Sequence, residues 1–567
     1  MTEIQLKGYA VALTRIPKRQ KLVRLLTHPA GGPAISLFAI GILAAGESLY
    51  ATVWGPWVFS DGAGYIMLAR NVIAGQGLGL IRASGQFQPL SMHPPLYPLT
   101  VAAFGFLGAD LVQSARWVAA GLFSLTILFV GFAMSQFTGK RWLGVCAAVV
   151  IVASPILVEL FTGALSEPLF FMTWQAGLLL LGIYWHRGRS WALFGAATLS
   201  GLALLARYPG AAVIAAGGLG LLIFASADAK RRWQEATLFT ALSGAPGFIW
   251  LRWVQAQPGA SPPRQWIWDF ANLWERTRPV RGGLVEGFWD WIPLSPWLGQ
   301  PPYRTKLIVL SLISLIIGLV LASALRGIFR RSGRNWRDLG ALQLAVLLFA
   351  FVVCYLALFT AVFLFSRDPL DAADVDQRML SPVYLSFLVG IFVVLAVAID
   401  AWPGQKWIRG LAVVLTVLMV LWHLPKTVDL VTRLNQEGAG YTGKGWRSSE
   451  TLRAAEQLSK DTQLISNEST AVMFLLDRPA YDLPARADNS VDDPPHRFGD
   501  GSDLVEQLFK QEGAALVLFD SIRWQLHGIY GDDAEFRLER LTQGLHLHVL
   551  TEDGAIYFYD DVGGIDG

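Results

Sequence analysis

What the sequence has least of is charge: Asp, Glu, Lys and Arg make up 16% of its 567 residues, against 53% hydrophobic. A soluble protein of two or three domains would carry about a quarter charged residues, so the shortage excludes that class. Cysteine is rarer still. The two present, Cys146 and Cys354, fall inside apolar blocks, which rules out a disulfide framework and leaves them as packing residues. No GxxxxGKS or GxxxxGKT phosphate loop, dinucleotide fingerprint or HExxH occurs, so ATP hydrolysis, nicotinamide chemistry and zinc proteolysis find no support. The net charge of +3 is small and no basic run is interleaved with aromatics, which argues against nucleic acid as a partner. Internal repeats and low-complexity tracts are absent as well.

What is abundant is apolar residues in blocks of roughly 18 to 22, the length an α-helix needs to cross a hydrocarbon core of about 30 Å. Eleven such blocks are centred near residues 45, 123, 149, 176, 199, 218, 245, 315, 352, 389 and 417. They predict a mainly α, polytopic transmembrane bundle. The first begins near Ala34 and runs too long for a cleaved signal, so it reads as an uncleaved anchor. Residues 1–33 then form a basic cytoplasmic segment, 34–430 the membrane domain with a large first extracytoplasmic loop at 56–110, and 438–567 a small soluble α/β domain.

Basic residues set the orientation. A cytoplasmic amino terminus puts Lys7, Arg15, Lys18, Arg19, Lys21 and Arg24 on that side, with Lys140, Arg141, Arg187, Arg189, Lys230, Arg231, Arg232, Arg326, Arg330, Arg331, Arg334, Arg337, Lys406 and Arg409. The opposite assignment would place every one of these clusters outside, against the cytoplasmic bias of Lys and Arg in short loops. The extracytoplasmic face then receives residues 56–110, the loop from Gln255 to Arg304, the loop around Ser366 to Gln377 and everything after about Pro425.

Within those segments, Tyr65, Ala69, Val72 and Ile73 fall at helical spacing in a stretch too short to span, which predicts a helix along the bilayer surface. Trp266, Trp268, Trp274, Trp289, Trp291 and Trp297 suit an interfacial aromatic belt. The terminal domain reads as a helix over Ser448 to Leu458, strands Gln463 to Ile465 and Ala515 to Phe519, and a closing pair Leu545 to Leu550 and Ala555 to Tyr559 about the turn Glu552-Asp553-Gly554. Ala485 to Gly501 reads as a surface loop.

Five charged or ionisable residues at outer helix ends are the candidates for chemistry. Asp61, in Ser60-Asp61-Gly62, either caps the surface helix or serves as general base toward an acceptor hydroxyl or ligand to a divalent ion. His93, in His93-Pro94-Pro95-Leu96-Tyr97-Pro98, is fixed near the interface by prolines that hold the chain extended; it is either a structural hydrogen bonder or a donor to phosphate. Glu167, in Ser166-Glu167-Pro168, is a sound helix start and also a carboxylate at the lip of an apolar helix, where charge is costly. Arg207 and Arg378 stand at outer helix ends, snorkelling to headgroups or gripping a phosphate with a planar fork of donors; Arg378 has Asp374 and Asp376 nearby as local partners. Glu47 within the first span is expected to face the protein interior, and His546 with His548 lacks a third metal ligand.

The order of these motifs, an acid after the first span, a surface helix ending Asn71-Val72-Ile73-Ala74-Gly75-Gln76-Gly77, then His93-Pro94-Pro95 and Ser166-Glu167-Pro168-Leu169-Phe170, resembles the GT-C class membrane glycosyltransferases. Glycosyltransferase family 39, the protein O-mannosyltransferase and aminoarabinose-transferase branch, is the most similar. The resemblance implies a GT-C-like bundle in the plasma membrane, a catalytic role for Asp61, donor-phosphate binding by His93, Arg207 and Arg378, and a supporting acid at Glu167. A divalent metal, if one is held, would draw on Asp61 and Glu167. Many relatives carry a second acid where this chain has Gly62, and the terminal domain is not that of the mannosyltransferases, so the acceptor does not carry over.

The expected function is inverting transfer of a sugar from a polyprenyl-phosphate-linked donor to an acceptor on the extracytoplasmic face, with membrane lipids as further partners. The rival is a polytopic transporter or lipid flippase. Its sequence mark would be two similarly interrupted helices in matching halves, with charged residues at the midplane, whereas here they gather at one face.

Overall fold

The computed structural model of the protein describes residues 31–81, 87–90, 93–225, 228–258, 266, 268, 270, 273–292, 299–332, 339–365, 375–483 and 513–559. The basic segment before residue 31, Trp297, Arg334, Arg337, Asp374 and the loop Ala485 to Gly501 lie outside the described residues. The chain runs α1 (Gly31–Ala51), α2 (Ser60–Ile73), an antiparallel ribbon of β1 (Gly79–Ile81) and β2 (Phe87–Pro89), α3 (Leu96–Gly105), α4 (Leu111–Thr138), α5 (Arg141–Val152), α6 (Pro155–Phe161), α7 (Glu167–Arg187) and α8 (Ser190–Ala206). It continues through α9 (Ala211–Phe224), α10 (Ala229–Gln255), α11 (Arg278–Asp290), α12 (Tyr303–Ser332), α13 (Gly340–Phe365), α14 (Gln377–Ala401) and α15 (Lys406–Glu437).

A helix stands at each of the eleven predicted centres, yet they are not equivalent. Seven are long and apolar enough to cross a membrane: α1, α4, α7, α12, α13, α14 and α15. α5 and α6 make an eighth if taken as one broken span, bent by 73° at Ser154-Pro155, where proline withholds the N–H that would continue the helix. α8 and α9 are apolar but short. α10 has the length but carries Lys230, Arg231, Arg232, Glu235 and Arg252.

Two local expectations are corrected. Chain extension through Pro98 ends at Pro95: α3 starts at once, because Pro98 falls in its first turn, where an N–H has no helical acceptor. The aromatic belt is also smaller than predicted. Trp266, Trp268 and Trp274 are exposed, but Trp289 and Trp291 are 1% and 4% exposed. Glycine is the reason. A Cβ on Gly283 would stand 2.3 Å from Val375, and one on Gly287 2.7 Å from Leu380, so α11 lies directly on the start of α14 and its tryptophans turn inward, Trp291 against Tyr384.

The terminal unit follows α15: α16 (Glu450–Gln457), β3 (Leu464–Ser466), α17 (Ser469–Leu476), β4 (Ala480–Asp482), β5 (Ala515–Phe519), α18 (Ser521–Tyr530), α19 (Ala534–Thr542), β6 (Leu545–Leu550) and β7 (Gly554–Tyr559). Its sheet has the order β4-β3-β5-β7-β6, with β3 parallel to β4 and β5, and β7 antiparallel to β5 and β6. All five residues of β5 are buried, as its continuous apolar run requires. The first strand lies one residue later than predicted, and α17, β4, α18 and α19 are additions.

Backbone contacts join this unit to the first loop. Val58 bridges Gly440, Tyr441 N donates to Val58 O at 2.8 Å, Thr442 Oγ1 to Pro56 O at 2.6 Å, and Arg70 of α2 pairs with Asp477. Gly440 has φ +61°, and a Cβ there would stand 2.1 Å from Val58 O. Gly440→Ala is therefore expected to cost about 1–3 kcal/mol, read as a lower thermal midpoint and faster proteolysis between α15 and α16.

Candidate active site

The segment before α2 and the segment before α7 are held side by side. Trp57 N donates to Thr162 O and Ala164 N to Trp57 O, both at 3.0 Å, and a Cβ on Gly163 would enter the Trp57 ring. Four residues on from this bridge stand Asp61 and Glu167, each in the first turn of its helix, where helix polarity favours a carboxylate. Gly62 lies in the same seam. A Cβ there would be 3.0 Å from Ala164 O, so a side chain at this position would press on the seam.

Arg207 and Arg378 arrive from two broken or capped helix ends. Arg207 is extended between α8 and a 3-10 turn at Tyr208–Gly210, where a Cβ on Gly210 would be 2.4 Å from Leu204 N. Arg378 opens α14, which Asp376 caps by accepting from Met379 N at 2.7 Å. Pro382 leaves Arg378 O without its helical donor, and Ser381 Oγ supplies one at 2.6 Å. The Tyr355 hydroxyl donates to Met379 O at 2.6 Å.

All five sequence candidates meet. Glu167 Oε1 forms an ion pair with Arg207 Nη1 and accepts from Arg378 Nε, each at 2.5 Å, and Arg378 Nη2 reaches Asp61 Oδ2 at 2.8 Å. His93 Nε2 stands 3.6 Å from Asp61 Oδ1. Two carboxylates balance two guanidiniums, so the cluster is internally neutral while His93 is uncharged. The acids differ in access: the Glu167 side chain is 1% exposed and Asp61 33%. Burial, with Arg207 and Arg378, lowers the His93 pKa below its ordinary 6.5 against the pull of Asp61.

These contacts bear on the structural reading of each residue. The α2 N-cap position is Phe59, and no side chain caps it; the Asp61 carboxylate turns to Arg378 and His93 instead. Asp376 is a helix cap rather than the partner of Arg378. Both arginine side chains are held by Glu167. Among the described residues no group of three or more His, Cys, Asp or Glu is gathered to hold a metal. The guanidinium of Arg378 stands between Asp61 and Glu167, so a divalent ion shared by those carboxylates would have to displace it.

Sequence reasoning passed over four neighbours. Tyr65 packs edge-on against His93 and Tyr97, with centroids 5.2 and 5.1 Å away, and its hydroxyl lies 3.3 Å from Ser166 Oγ, which also accepts from Arg207. Burial pushes the Tyr65 hydroxyl up to about 12. The signal for Tyr65 was its position one turn after Asp61, on the same helix face. Tyr97 is fully buried, and among the described residues neither its hydroxyl nor Glu167 Oε2 has a hydrogen-bond partner. Tyr355 and Ser166 carried no signal beyond a hydroxyl in or beside an apolar span.

Residues 92–250 match the family model described as dolichyl-phosphate-mannose-protein mannosyltransferase. This stretch contains His93, Glu167 and Arg207 but neither Asp61 nor Arg378. A comparison with curated proteins finds no match. The crystal structure of ArnT from Cupriavidus metallidurans in the apo state has a TM-score of 0.52 to this chain at 14% identity, covering 93% of this chain and 98% of that one. The same protein bound to undecaprenyl phosphate has a TM-score of 0.50 at 13% identity, covering 92% and 97%. By fold over nearly its whole length, and by sequence over residues 92–250, the chain is similar to the GT-C membrane glycosyltransferases of the mannosyltransferase and ArnT kind.

Proposed function

We propose that the protein moves a sugar from a polyprenyl-phosphate-linked donor to an acceptor hydroxyl at the extracytoplasmic face, by a single inverting displacement. One observation carries this reading: an open carboxylate, Asp61, beside two arginines that a closed carboxylate, Glu167, holds in place. Asp61 takes the proton of the acceptor hydroxyl as its oxygen bonds to the anomeric carbon. The bond from that carbon to the phosphate oxygen breaks, and the lipid phosphate leaves with the electron pair. Arg207, Arg378 and His93 receive the charge that develops there. Each guanidinium still has N–H groups beyond those given to Glu167, Asp61 and Ser166.

The arrangement also explains a resting pair between base and cation. In the resting site Asp61 Oδ2 is occupied by the Arg378 guanidinium. A donor phosphate competes for that guanidinium, which frees Asp61 for the acceptor only once the donor is in place. Orientation follows the basic loops: α7 and α14 begin at the cluster and end at Arg187 and Ala401, beside the short basic loops. The undecaprenyl phosphate bound by ArnT of the same fold supports a lipid-phosphate donor here.

His93 supplies a test. With its pKa below 6.5 it is neutral at pH 7. A base depressed in the folded state binds fewer protons folded than unfolded, so its share of stability is complete above about 6.5 and is lost as pH falls toward the lowered value. His93→Ala is expected to slow transfer roughly 10- to 100-fold, the value of one hydrogen bond to a charged group. His93→Lys should keep most activity and flatten the acid limb of the pH–rate profile. A wild-type rate with alanine would remove His93 from the site.

A further inference from the structure

α2 carries Asp61 and Tyr65 one turn apart on one face, and the two meet different surroundings. The Asp61 side chain is one-third exposed, whereas Tyr65 is closed in by His93, Tyr97 and Ser166. Its ring lies edge-on to His93 at 5.2 Å and to Tyr97 at 5.1 Å, with interplanar angles of 70° and 71°, the T-shaped arrangement that aromatic quadrupoles favour. The His93 backbone is restricted by Pro94. Its imidazole has Asp61 Oδ1 3.6 Å from Nε2, near enough to attract the ring but too far to fix its plane by a hydrogen bond. The plane is therefore set by the packing of Tyr65.

The hydroxyl has a separate task. Stacking needs only the ring, as Tyr97 illustrates: it packs as closely, yet among the described residues its own hydroxyl has no partner. Tyr65 Oη lies 3.3 Å from Ser166 Oγ, which accepts from Arg207 Nη1 at 3.3 Å, the same nitrogen that pairs with Glu167. Arg378 is thus reached from α2 by Asp61, and Arg207 by way of Tyr65 and Ser166. Burial holds the Tyr65 hydroxyl at about 12, so this link stays neutral and protonated at ordinary pH.

We propose that Tyr65 is a positioning residue of the transfer site: its ring sets the His93 imidazole and its hydroxyl, through Ser166, sets Arg207, so that both donors face one lipid phosphate while Asp61 on the same helix face meets the acceptor. The assignment rests on the reading of this cluster as the place where a lipid phosphate leaves. It adds that the base and the leaving-group donors are held in register by a single side chain of α2, which neither touches the reacting atoms nor carries charge.

Two readings on the full-length protein in detergent test this: the dissociation constant for polyprenyl phosphate, and the titration of His93 by NMR, its signal among eight histidines identified by its loss in His93→Ala. Tyr65→Phe keeps the ring and should weaken polyprenyl phosphate binding about 2- to 10-fold, the value of one hydrogen bond, with the His93 titration unmoved. Ser166→Ala should weaken binding at least as far, and the double variant no further than Ser166→Ala alone. Tyr65→Leu removes the ring and admits water, so the His93 pKa should rise toward 6.5 while Asp61, Glu167, Arg207 and Arg378 still face it. Wild-type binding in Tyr65→Phe, or losses that multiply in the double variant, would overturn the route to Arg207; a His93 titration identical in wild type and Tyr65→Leu would overturn the hold on His93. A merely structural tyrosine would lower the thermal midpoint and move neither reading. Should Tyr65→Leu fail to fold, Tyr65→Phe and Ser166→Ala still decide. Wild-type protein that binds no polyprenyl phosphate would sink the transfer reading instead, and the His93 titration would then decide the positioning claim by itself.

Discussion

Asp61→Asn is expected to lower sugar transfer by roughly 10²–10⁴-fold, the range associated with loss of a positioned general base, with donor-lipid binding and thermal stability close to wild type. The asparagine carbonyl can still accept from Arg378 Nη2, which Asp61 meets at 2.8 Å, so the guanidinium keeps a partner and α2 keeps its place on the Ala164 seam. What is lost is the negative charge of the carboxylate and, with it, its ability to take a proton. Since the Asp61 side chain is one-third exposed, the substitution leaves no buried uncompensated charge. A variant that binds donor and transfers at the wild-type rate would remove Asp61 as the base; one that unfolds would show the carboxylate to be structural.

Glu167→Gln should behave in the opposite manner. Glu167 is 1% exposed and is the common partner of Arg207 and Arg378, so its neutralisation leaves two guanidiniums side by side with only Asp61 to balance them. Removing one member of a buried ion pair costs about 3–5 kcal/mol, here felt as a markedly lower thermal midpoint together with lost transfer. Glu167→Asp, which shortens the reach to both arginines but keeps the charge, should recover stability more than activity. If Glu167→Gln melted with the wild type, the view that Glu167 sets the arginines in position would fail.

The contrast between the two acids marks how far the sequence could be read. Asp61, His93, Glu167, Arg207 and Arg378 were all visible as charges or an imidazole at or near the ends of apolar helices, since the bilayer makes such residues costly and so conspicuous. Their pairing was not. Arg378 is 211 residues from Glu167 and 317 from Asp61, and local reasoning offered it Asp374 and Asp376 instead. Nothing within one helix says which acid will be enclosed and which left open, and the two are brought together by the Trp57 and Gly163 bridge, a contact between loops.

The same division holds for the fold. The helices at all eleven centres followed from apolar length alone. The bend at Pro155, the turn at Arg207 and α3 depend on where prolines fall relative to helix starts, a matter of one or two residues. Trp289 and Trp291 misled because an interfacial and a buried tryptophan look alike in sequence, and only the close approach permitted by Gly283 and Gly287 separates them. In the terminal unit the apolar strands β5, β6 and β7 were legible, whereas α17 and β4 are short and β4 carries the polar Tyr481 and Asp482.

The central claim is that sugar leaves a lipid phosphate at this cluster, and it is tested most directly with wild-type protein reconstituted into vesicles with a panel of polyprenyl-phosphate sugars labelled in the sugar. The account predicts that label passes to an acceptor with inverted anomeric configuration, with free polyprenyl phosphate as the second product, for at least one donor and only when donor is present on the side away from the basic loops. Movement of intact labelled donor across the vesicle membrane, with the phosphate-to-sugar bond unbroken, would contradict it and make the protein a transporter.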